Sequence, residues 1–570
     1  MTALRHLARG LAALLLLPVA LVAVALVGRG AVGLVHRWEH GARADDRVLR
    51  EHVATTYYVS PDGDDGAAGT SPDAPLRSLA AASRLELGPG DRVLLRGGAT
   101  HPGPLRLDAD DVGTPARPVR IGSYGPGRAT IDGGAGSAVE VVDTGGVEVA
   151  GLALVGDGAD ANQGDGVLFE NRLLGATRLA HVRVRDVESS GFGGHGVRVE
   201  TSSMNLAGVV LDALVPAKAG YRDVRIERVD AHDNGLAGIY VYGEFNPLWG
   251  GTYAHRDVVV RRCRAYRNAG RPGPDLPHTG SGIVVSDVDG AVVEHSVAFE
   301  NGVRSQSQAG GPVGIWAWDA TRVVIQRNVA YGNRTGGPKD GGGFDLDGGV
   351  THSVLQYNLS YDNDGSGYLI AQFPGAHPLH DNVVRYNVSV GDGRKNSTAG
   401  IQVWSGDPES PVTRTLVAHN TIVQTPSAEG VPSALFVREA SAEDFVARDN
   451  VFATVGAVPL VTHRPGQRGL DLGGNVWAAD TLVAVWDGRP ASLAEWQTGA
   501  GLADLDVVSL DALGLTGPVG AGSVGAYLPL AGSPLVDAAR AAGPSRDVVG
   551  TRVPQGRAPD VGAVERPVGR

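Results

Sequence analysis

Short apolar segments with alternating side chains recur along the chain. Each starts at a small residue and continues apolar, variable, apolar, as in Gly343-Phe344-Asp345-Leu346. A period of two is typical of β-strands that bury one face. The clearest segments start at residues 166, 196, 238, 282, 314, 343, 367, 400 and 434, so successive starts lie 24 to 44 residues apart. This irregular spacing, with room for about three short strands per repeat, favours a parallel β-helix over architectures with stricter periods.

Asparagines recur at fixed places in the same repeats. One set ends a second strand of the repeat and comprises Asn328, Asn358, Asn387, Asn420 and Asn450. Another set falls in the turns and comprises Asn234, Asn268, Asn301, Asn333 and Asn363. Stacked coils superpose such residues, so their amides can bond along the axis while tolerating left-handed turn geometry. We therefore interpret both sets as structural ladders.

Composition and charge narrow the classes of function. Gly accounts for 83 of 570 residues, whereas Lys218, Lys339 and Lys395 are the only lysines. The formal net charge is -12 and the body of the chain has no Lys/Arg-rich run, so the electrostatic footprint of a nucleic-acid-binding protein is missing. The single cysteine, Cys263, excludes an intrachain disulfide and a cysteine metal cluster.

The N-terminus carries a targeting segment. Basic residues precede an apolar run from Leu11 to Val27, which is long enough to span a bilayer and has no convincing Ala-x-Ala site after it. Residues 1–30 are therefore predicted to be a signal anchor or signal peptide, and residues 31–55 a juxtamembrane linker. We expect an extracytoplasmic protein that is anchored in the cell membrane by this transmembrane helix, or secreted if the helix is cleaved.

The start of the exported part has a distinctive order of elements. A strand and an acidic loop over residues 57–69 precede an amphipathic segment, Leu76 to Leu85, and a strand within Gly90 to Gly98. This order resembles the N-terminal end of right-handed parallel β-helix proteins of the pectate-lyase-like superfamily. The resemblance implies an all-β fold in which a helix caps the solenoid, residues 56–465 form the β-helix and residues 466–570 form a C-terminal capping segment.

Two aspartates in a glycine-rich strand are the first candidates for chemistry. If Phe344 and Leu346 face the core, then Asp345 and Asp347 must stand together in solvent. Their roots would lie about 6.5 to 7 Å apart, nearer the separation of inverting than of retaining glycosidases. Repulsion and partial desolvation would raise the pKa of one carboxyl, which would be the acid and leave the other as base. The sequence does not assign the two roles.

Aromatic and amide side chains flank this pair when the strands are aligned coil by coil. The candidate substrate-binding residues are Trp316, Trp318, Tyr240, Tyr242, Trp404 and Gln402. Neutral rings beside acids suit a sugar groove, because the C–H faces of a pyranose stack on indoles while carboxyls serve the glycosidic oxygen. We therefore expect a polysaccharide or oligosaccharide as partner and a monomeric protein.

Three functions are compatible with these residues. In a glycoside hydrolase, Asp345 and Asp347 act as the acid–base pair, Asp340 or Asp364 assists, and no cofactor is required. In a polysaccharide lyase or epimerase of the same superfamily, Lys339 is the base and Asp345, Asp347 and Asp364 are candidate ligands for Ca²⁺. A non-catalytic surface protein would keep the groove and bind glycan only. We favour the hydrolase.

Overall fold

The computed structural model describes residues 52–567, apart from 174, 203–217, 247–249, 277, 439–440, 467, 503–504 and 541–542. The predicted anchor at residues 1–30, and the linker as far as residue 51, lie outside the described residues and stay predictions. Within the described part of the chain, no helix is long and apolar enough to cross a membrane. The unit that starts at Thr55 is a solenoid of three parallel sheets.

Each coil contributes one strand to each of three sheets. Sheet 1 consists of Leu105–Leu107, Val139–Val142, Val167–Asn171, Val197–Thr201, Ala237–Tyr242, Ser281–Ser286, Val313–Trp318, Gly342–Leu346, Tyr368–Gln372, Ala399–Ser405, Ser433–Arg438, Val461–His463, Ala484–Trp486 and Arg489–Pro490. Sheet 2 consists of Thr56–Val59, Arg92–Arg96, Val119–Tyr124, Val147–Ala150, Arg178–Arg185, Gly220–Glu227, His255–Arg261, Val288–Glu294, Thr321–Gln326, Val354–Gln356, Val383–Arg385, Val412–Thr413, Leu416–Ala418, Ser441–Arg448 and Arg468–Asp471. Sheet 3 consists of Thr100–Pro102, Ala129–Gly134, Leu152–Gly156, Glu188–Ser190, Asp230–His232, Arg264–Tyr266, Val297–Phe299, Val329–Tyr331, Leu359–Tyr361, Val388–Val390, Thr421–Gln424, Val451–Thr454, Val476–Ala479 and Val507–Val508.

The predicted alternation places the apolar side chains inside the solenoid. Phe344 and Leu346 are fully buried in the core, and the Phe344 ring stacks on Tyr368 of the next coil with centroids 5.3 Å apart. The outward ladder on sheet 1 also follows the predicted alignment, because Asp345 pairs with Leu369, which pairs in turn with Gln402. Stacking of equivalent positions therefore carries the candidate residues from coil to coil.

Helices are few and short. The first, Leu79–Ala82, begins at Ser78, whose hydroxyl accepts a hydrogen bond from the Ala81 backbone at 3.0 Å. It occupies only part of the predicted helical segment, and its capping role stays a prediction. The second, Leu493–Ala500, has a capping box at its start and buries Trp496. The 3₁₀ helices are Asp511–Leu513 and Val524–Tyr527. Parallel strands continue past residue 465, as far as Val507–Val508.

Both predicted asparagine ladders are confirmed. In the strand-end set, each side-chain amide donates to the amide oxygen of the next coil at 2.8 to 3.1 Å, and the ladder extends to Asn475. In the turn set the corresponding distances are 2.9 to 3.0 Å, and the last amide, of Asn363, donates to the carboxylate of Asp392 at 2.7 Å. These side chains are buried, so the ladders satisfy polar groups that water cannot reach.

Removing one rung should destabilise the fold. The amide of Asn358 donates to Ile325 O at 2.9 Å and to Asn387 Oδ1 at 3.0 Å, and its oxygen accepts from Asn328. Because each buried group left unpaired costs about 1–3 kcal/mol, Asn358→Ala should lower the free energy of unfolding by about 3 kcal/mol, measured by denaturant titration. The surface variant Gln308→Ala should change it by less than about 0.5 kcal/mol. Equal effects of the two variants would contradict the ladder's role.

Candidate active site in a carboxyl-lined cavity

A cavity of about 340 Å³ lies over the outward face of sheet 1, where the sequence predicts the carboxyl pair. Its charged lining residues are Lys339, Asp340, Asp345, Asp347 and Arg438. Its ring-bearing lining residues are Phe245, His278, Trp318, Phe373 and Trp404. The other lining residues are Ala309, Gly310, Leu369, Ala371 and Gln402. Acids and aromatic rings therefore converge in one enclosed space.

Asp345 does not stand in solvent as the strand pattern predicts, since only 2% of it is exposed. It faces outward from the strand Gly342–Leu346, but side chains from neighbouring coils close over it, including Phe245 and Phe373. Its Oδ1 has no hydrogen-bond partner among the described residues. Burial, with the nearby carboxylates of Asp347 and Asp340, raises the pKa of Asp345 well above its usual range. Asp345 is therefore suited to hold a proton at neutral pH.

Asp347 lies at the end of the same strand and keeps partial contact with solvent. Its backbone N–H donates to Ala317 O at 2.9 Å, and its Oδ1 accepts from the Gly348 backbone at 2.7 Å. Burial raises the pKa of Asp347 to about 7; the bond from Gly348 lowers it and the charge of Asp340 raises it. The two carboxyls therefore differ in environment although they lie on one face of one strand.

Asp340 is the third carboxyl of the cavity. Its backbone is left-handed, with a φ of 47°, and its Oδ2 accepts from the Gly311 backbone at 2.7 Å. On the opposite wall, burial lowers the pKa of His278, while the charge of Asp340 opposes this effect. Lys339 precedes Asp340 and lines the same cavity. The predicted assistance of Asp340 and Lys339 is thus geometrically possible, and it stays a prediction.

Asp364 is not brought to the pair. It lines a different cavity of about 410 Å³ together with Arg334 and Lys395. Its Oδ2 accepts from the Thr335 backbone at 3.0 Å, and Arg334 Nη1 lies 3.5 Å from its Oδ1. The predicted grouping of Asp364 with Asp345 is therefore corrected.

The predicted sugar-binding aromatics separate into two groups. Trp318 and Trp404 line the cavity with Gln402. Trp316 does not, because it is 2% exposed and its Nε1 donates to Ser281 Oγ at 3.2 Å.

Tyr240 and Tyr242 lie beside the cavity rather than on its wall. Their rings are 5.4 Å apart, and the ring of Tyr242 is 6.1 Å from that of Trp318. Burial raises the pKa of both hydroxyls. Like Trp316, they support the ring of Trp318 from behind.

Two wall residues escaped the sequence reasoning. The ring of Phe245 lies 5.7 Å from Trp318 and 6.2 Å from Phe373, so these three rings form one aromatic wall. Phe245 follows the end of the strand Ala237–Tyr242, and Phe373 follows Tyr368–Gln372. An aromatic residue directly after an outward-facing ladder position was the signal that could have identified both.

The residues proposed for Ca²⁺ do not assemble, because Asp364 lies in the other cavity. Within the part of the chain described, three candidate ligand atoms come within 4.8 Å of one another at His352, His380 and Asp381. That carboxylate already accepts from His380 Nδ1 at 2.7 Å and from Arg414 Nε at 2.8 Å. This cluster is therefore a charge-balanced turn, and no step of the chemistry proposed below is routed through a metal.

Comparisons with known proteins bear on the fold and on the class of chemistry. No family model matches the chain. A lacto-N-biosidase from Bifidobacterium longum is 24% identical over 430 residues, which is 59% of this chain and 26% of that protein. The chain thus spans about a quarter of the length of that curated relative.

Solved structures similar to this chain are also carbohydrate-active proteins. A GH136 lacto-N-biosidase from Eubacterium ramulus has a TM-score of 0.48 and 19% identity, covering 76% of this chain and 68% of that one. A pectate lyase has a TM-score of 0.39 and 15% identity, covering 90% and 97%. Together with the three parallel sheets, the fold is the right-handed parallel β-helix of the pectate-lyase-like superfamily, as the sequence resemblance implied.

Proposed function

We propose that this chain is a carbohydrate-active enzyme, specifically a glycoside hydrolase whose carboxyl pair is Asp345 and Asp347. The observation that carries the proposal is the convergence of three carboxyls, two of them with raised pKa, in one aromatic-lined cavity. Perturbed carboxyls in a cleft are typical of catalytic sites. The sequence similarity to a lacto-N-biosidase supports the same class of reaction.

The environments of the two carboxyls suggest a division of labour. Asp345, the more deeply buried, is the general acid that protonates the glycosidic oxygen. Asp347, partly open to solvent, is the carboxylate that activates water or attacks the anomeric carbon. Asp340 adds negative charge that helps to stabilise an oxocarbenium-like transition state. The stereochemical outcome, for which inversion is the expectation, is read from the anomer first formed in an NMR time course.

The shape of the cavity suggests a substrate class. A volume of about 340 Å³ is that of a small-molecule site, which favours the end of an oligosaccharide over the interior of a polymer. Trp318 and Trp404 offer faces for pyranose rings, and Gln402 and Arg438 offer hydrogen bonds to hydroxyl groups. Because the relative is named a lacto-N-biosidase, oligosaccharides that end in lacto-N-biose are the first substrates to test.

One observation keeps a second function in view. Lys339 lines the same cavity as the acids, which is the arrangement that a lyase or epimerase base requires. Glycan binding without turnover is the third outcome of the same test.

The test is a turnover screen of the full chain against neutral and acidic oligosaccharides, with and without chelator. New reducing ends without an absorbing unsaturated product support the hydrolase. Unsaturated products that disappear with Lys339→Ala overturn it in favour of the lyase. Calorimetric binding with no product from any glycan leaves a binding protein.

The pH dependence of kcat/KM should report the state of both carboxyls. Asp347 must be ionised to act, and its pKa is about 7, so kcat/KM should rise as the pH increases through this value. It should fall again at higher pH, when Asp345 loses its proton. Initial rates between about pH 4 and pH 10 measure the profile. Activity that falls steadily from pH 5 to pH 7 would contradict the assignment.

A further inference from the structure

We propose that the ion pair between Asp319 and His377 is a positioning device that holds the turn carrying Asp347 against the aromatic wall of the cavity. This inference rests on the proposed function. His377 Nδ1 lies 2.7 Å from Asp319 Oδ1, and the two side chains are 12% and 3% exposed. A buried, charge-assisted contact of this kind is strong enough to fix a loop.

The backbone couples Asp319 directly to the turn that carries Asp347. Asp319 follows the strand Val313–Trp318, and its N–H donates to Gly348 O at 2.8 Å. One residue earlier in each turn, the Asp347 N–H donates to Ala317 O at 2.9 Å. A shift of Asp319 therefore moves the backbone of Gly348, and with it the carboxyl next to it.

The loop that supplies His377 rests on the same turn at van der Waals distance. A Cβ on Gly348 would lie 2.5 Å from Ala376 Cβ and 2.6 Å from the ring of Phe373. Gly349 has a φ of +79°, and a Cβ there would lie 3.0 Å from Asp319 Oδ1. Only glycine at these two positions lets the loop and the turn approach this closely.

His377 also contacts the wall of the cavity. Its ring lies 5.1 Å from that of Phe245, and its backbone oxygen accepts from Gln372 Nε2 at 2.9 Å. The hydrogen bond to Asp319 raises the pKa of His377, while burial and the charge of Lys218 lower it. The pair therefore ties the loop, the wall and the Asp347 turn into one unit.

Neither member of the pair lines the carboxyl cavity, so both act through other residues. His377 instead lines a neighbouring cavity of about 520 Å³, from which a small molecule can reach the space that its ring fills. This makes chemical rescue possible, because free imidazole can replace a truncated His377 side chain and bond to Asp319 again.

The test compares His377→Ala with His352→Ala, which removes an exposed imidazole across the same neighbouring cavity. Hydrogen exchange of residues 347–350 and 373–378 should become at least about tenfold faster in His377→Ala only. Turnover of the glycan found in the screen should show kcat at least about tenfold lower with KM within about threefold. Added imidazole should restore part of both. If His377→Ala does not fold, His377→Gln, which keeps an N–H donor, carries the same comparison.

Exchange that is unchanged in the folded variant, or a loss of kcat no larger than in His352→Ala, overturns the proposal. Failure of imidazole to restore either quantity also overturns it, because a purely space-filling role would remain. Faster exchange in a protein that cleaves none of the glycans supports the positioning of the turn and overturns the proposed function, so the two failures are distinguishable.

Discussion

Asp347→Asn should reduce kcat/KM at least about a thousandfold on any glycan that the wild-type chain cleaves. The substitution preserves the shape of the side chain and its contact with Gly348, but it removes the carboxylate that activates water or attacks the anomeric carbon. Substrate affinity should stay close to wild type, because the rings of Trp318 and Trp404 are untouched. Steady-state kinetics together with calorimetric binding measure the two quantities separately.

Asp364→Asn is the matched control, since Asp364 has the same side chain one coil later but lies in the other cavity. It should retain kcat/KM within about threefold, which is within reach of a small local adjustment. If Asp364→Asn is as inactive as Asp347→Asn, the cavity described here is not the centre of the chemistry.

Asp345→Asn should behave differently from Asp347→Asn when the leaving group changes. A glycoside with an acidic phenol as leaving group needs little protonation, so loss of the general acid should cost far less on it than on a natural oligosaccharide. Loss of Asp347 should be equally severe on both substrates. A pattern in which Asp347→Asn is the variant relieved by the activated substrate would exchange the two roles.

The coil-to-coil alignment was predictable because it depends on a single periodicity. Each strand of sheet 1 buries alternate residues, so Phe344 and Tyr368 occupy equivalent core positions and Asp345 and Leu369 equivalent outward ones. The rungs of the asparagine ladders repeat at the same intervals. Parallel stacking preserves register from coil to coil, which makes such positions readable without coordinates.

The burial of Asp345 was not predictable from the same pattern. Alternation indicates which face of the strand points outward, but not what lies on that face. The cover comes from Phe245 and Phe373, which belong to connections after the strands of other coils. Connections carry no repeat, so their paths over the sheet depend on tertiary packing. The pKa of Asp345 therefore depends on residues that its own strand does not contain.

The misplacement of Asp364 has a more local cause. Asn363 is buried in the turn ladder and donates to Asp392, which fixes the orientation of the residues on either side of it. The following carboxylate then accepts from Thr335 N instead of facing the cavity. Proximity along the solenoid axis was read correctly, but the direction of the side chain depends on the rung beside it.

Asp347→Asn should also make the folded chain more stable at alkaline pH. The pKa of Asp347 is raised to about 7 from an ordinary value of 3.8. Between these values the folded chain binds more protons than the unfolded chain, so stability falls as the pH rises through this window. At about 1.4 kcal/mol per pH unit the cost of full ionisation reaches at most about 4 kcal/mol, and it is smaller because Asp347 keeps contact with solvent. A neutral asparagine avoids this cost.

The difference between variant and wild type should therefore follow the pH. At pH 8 the variant should melt a few degrees above the wild type, and the gap should vanish near pH 4, where both side chains are neutral. Asp110→Asn, at an exposed turn position, should show no such dependence. A gap that is independent of pH, or a variant that is less stable at pH 8, would mean that ionised Asp347 is accommodated without cost. A gain in stability together with the loss of turnover would instead identify Asp347 as a group that the fold holds at the expense of its own stability, as expected for a catalytic carboxylate.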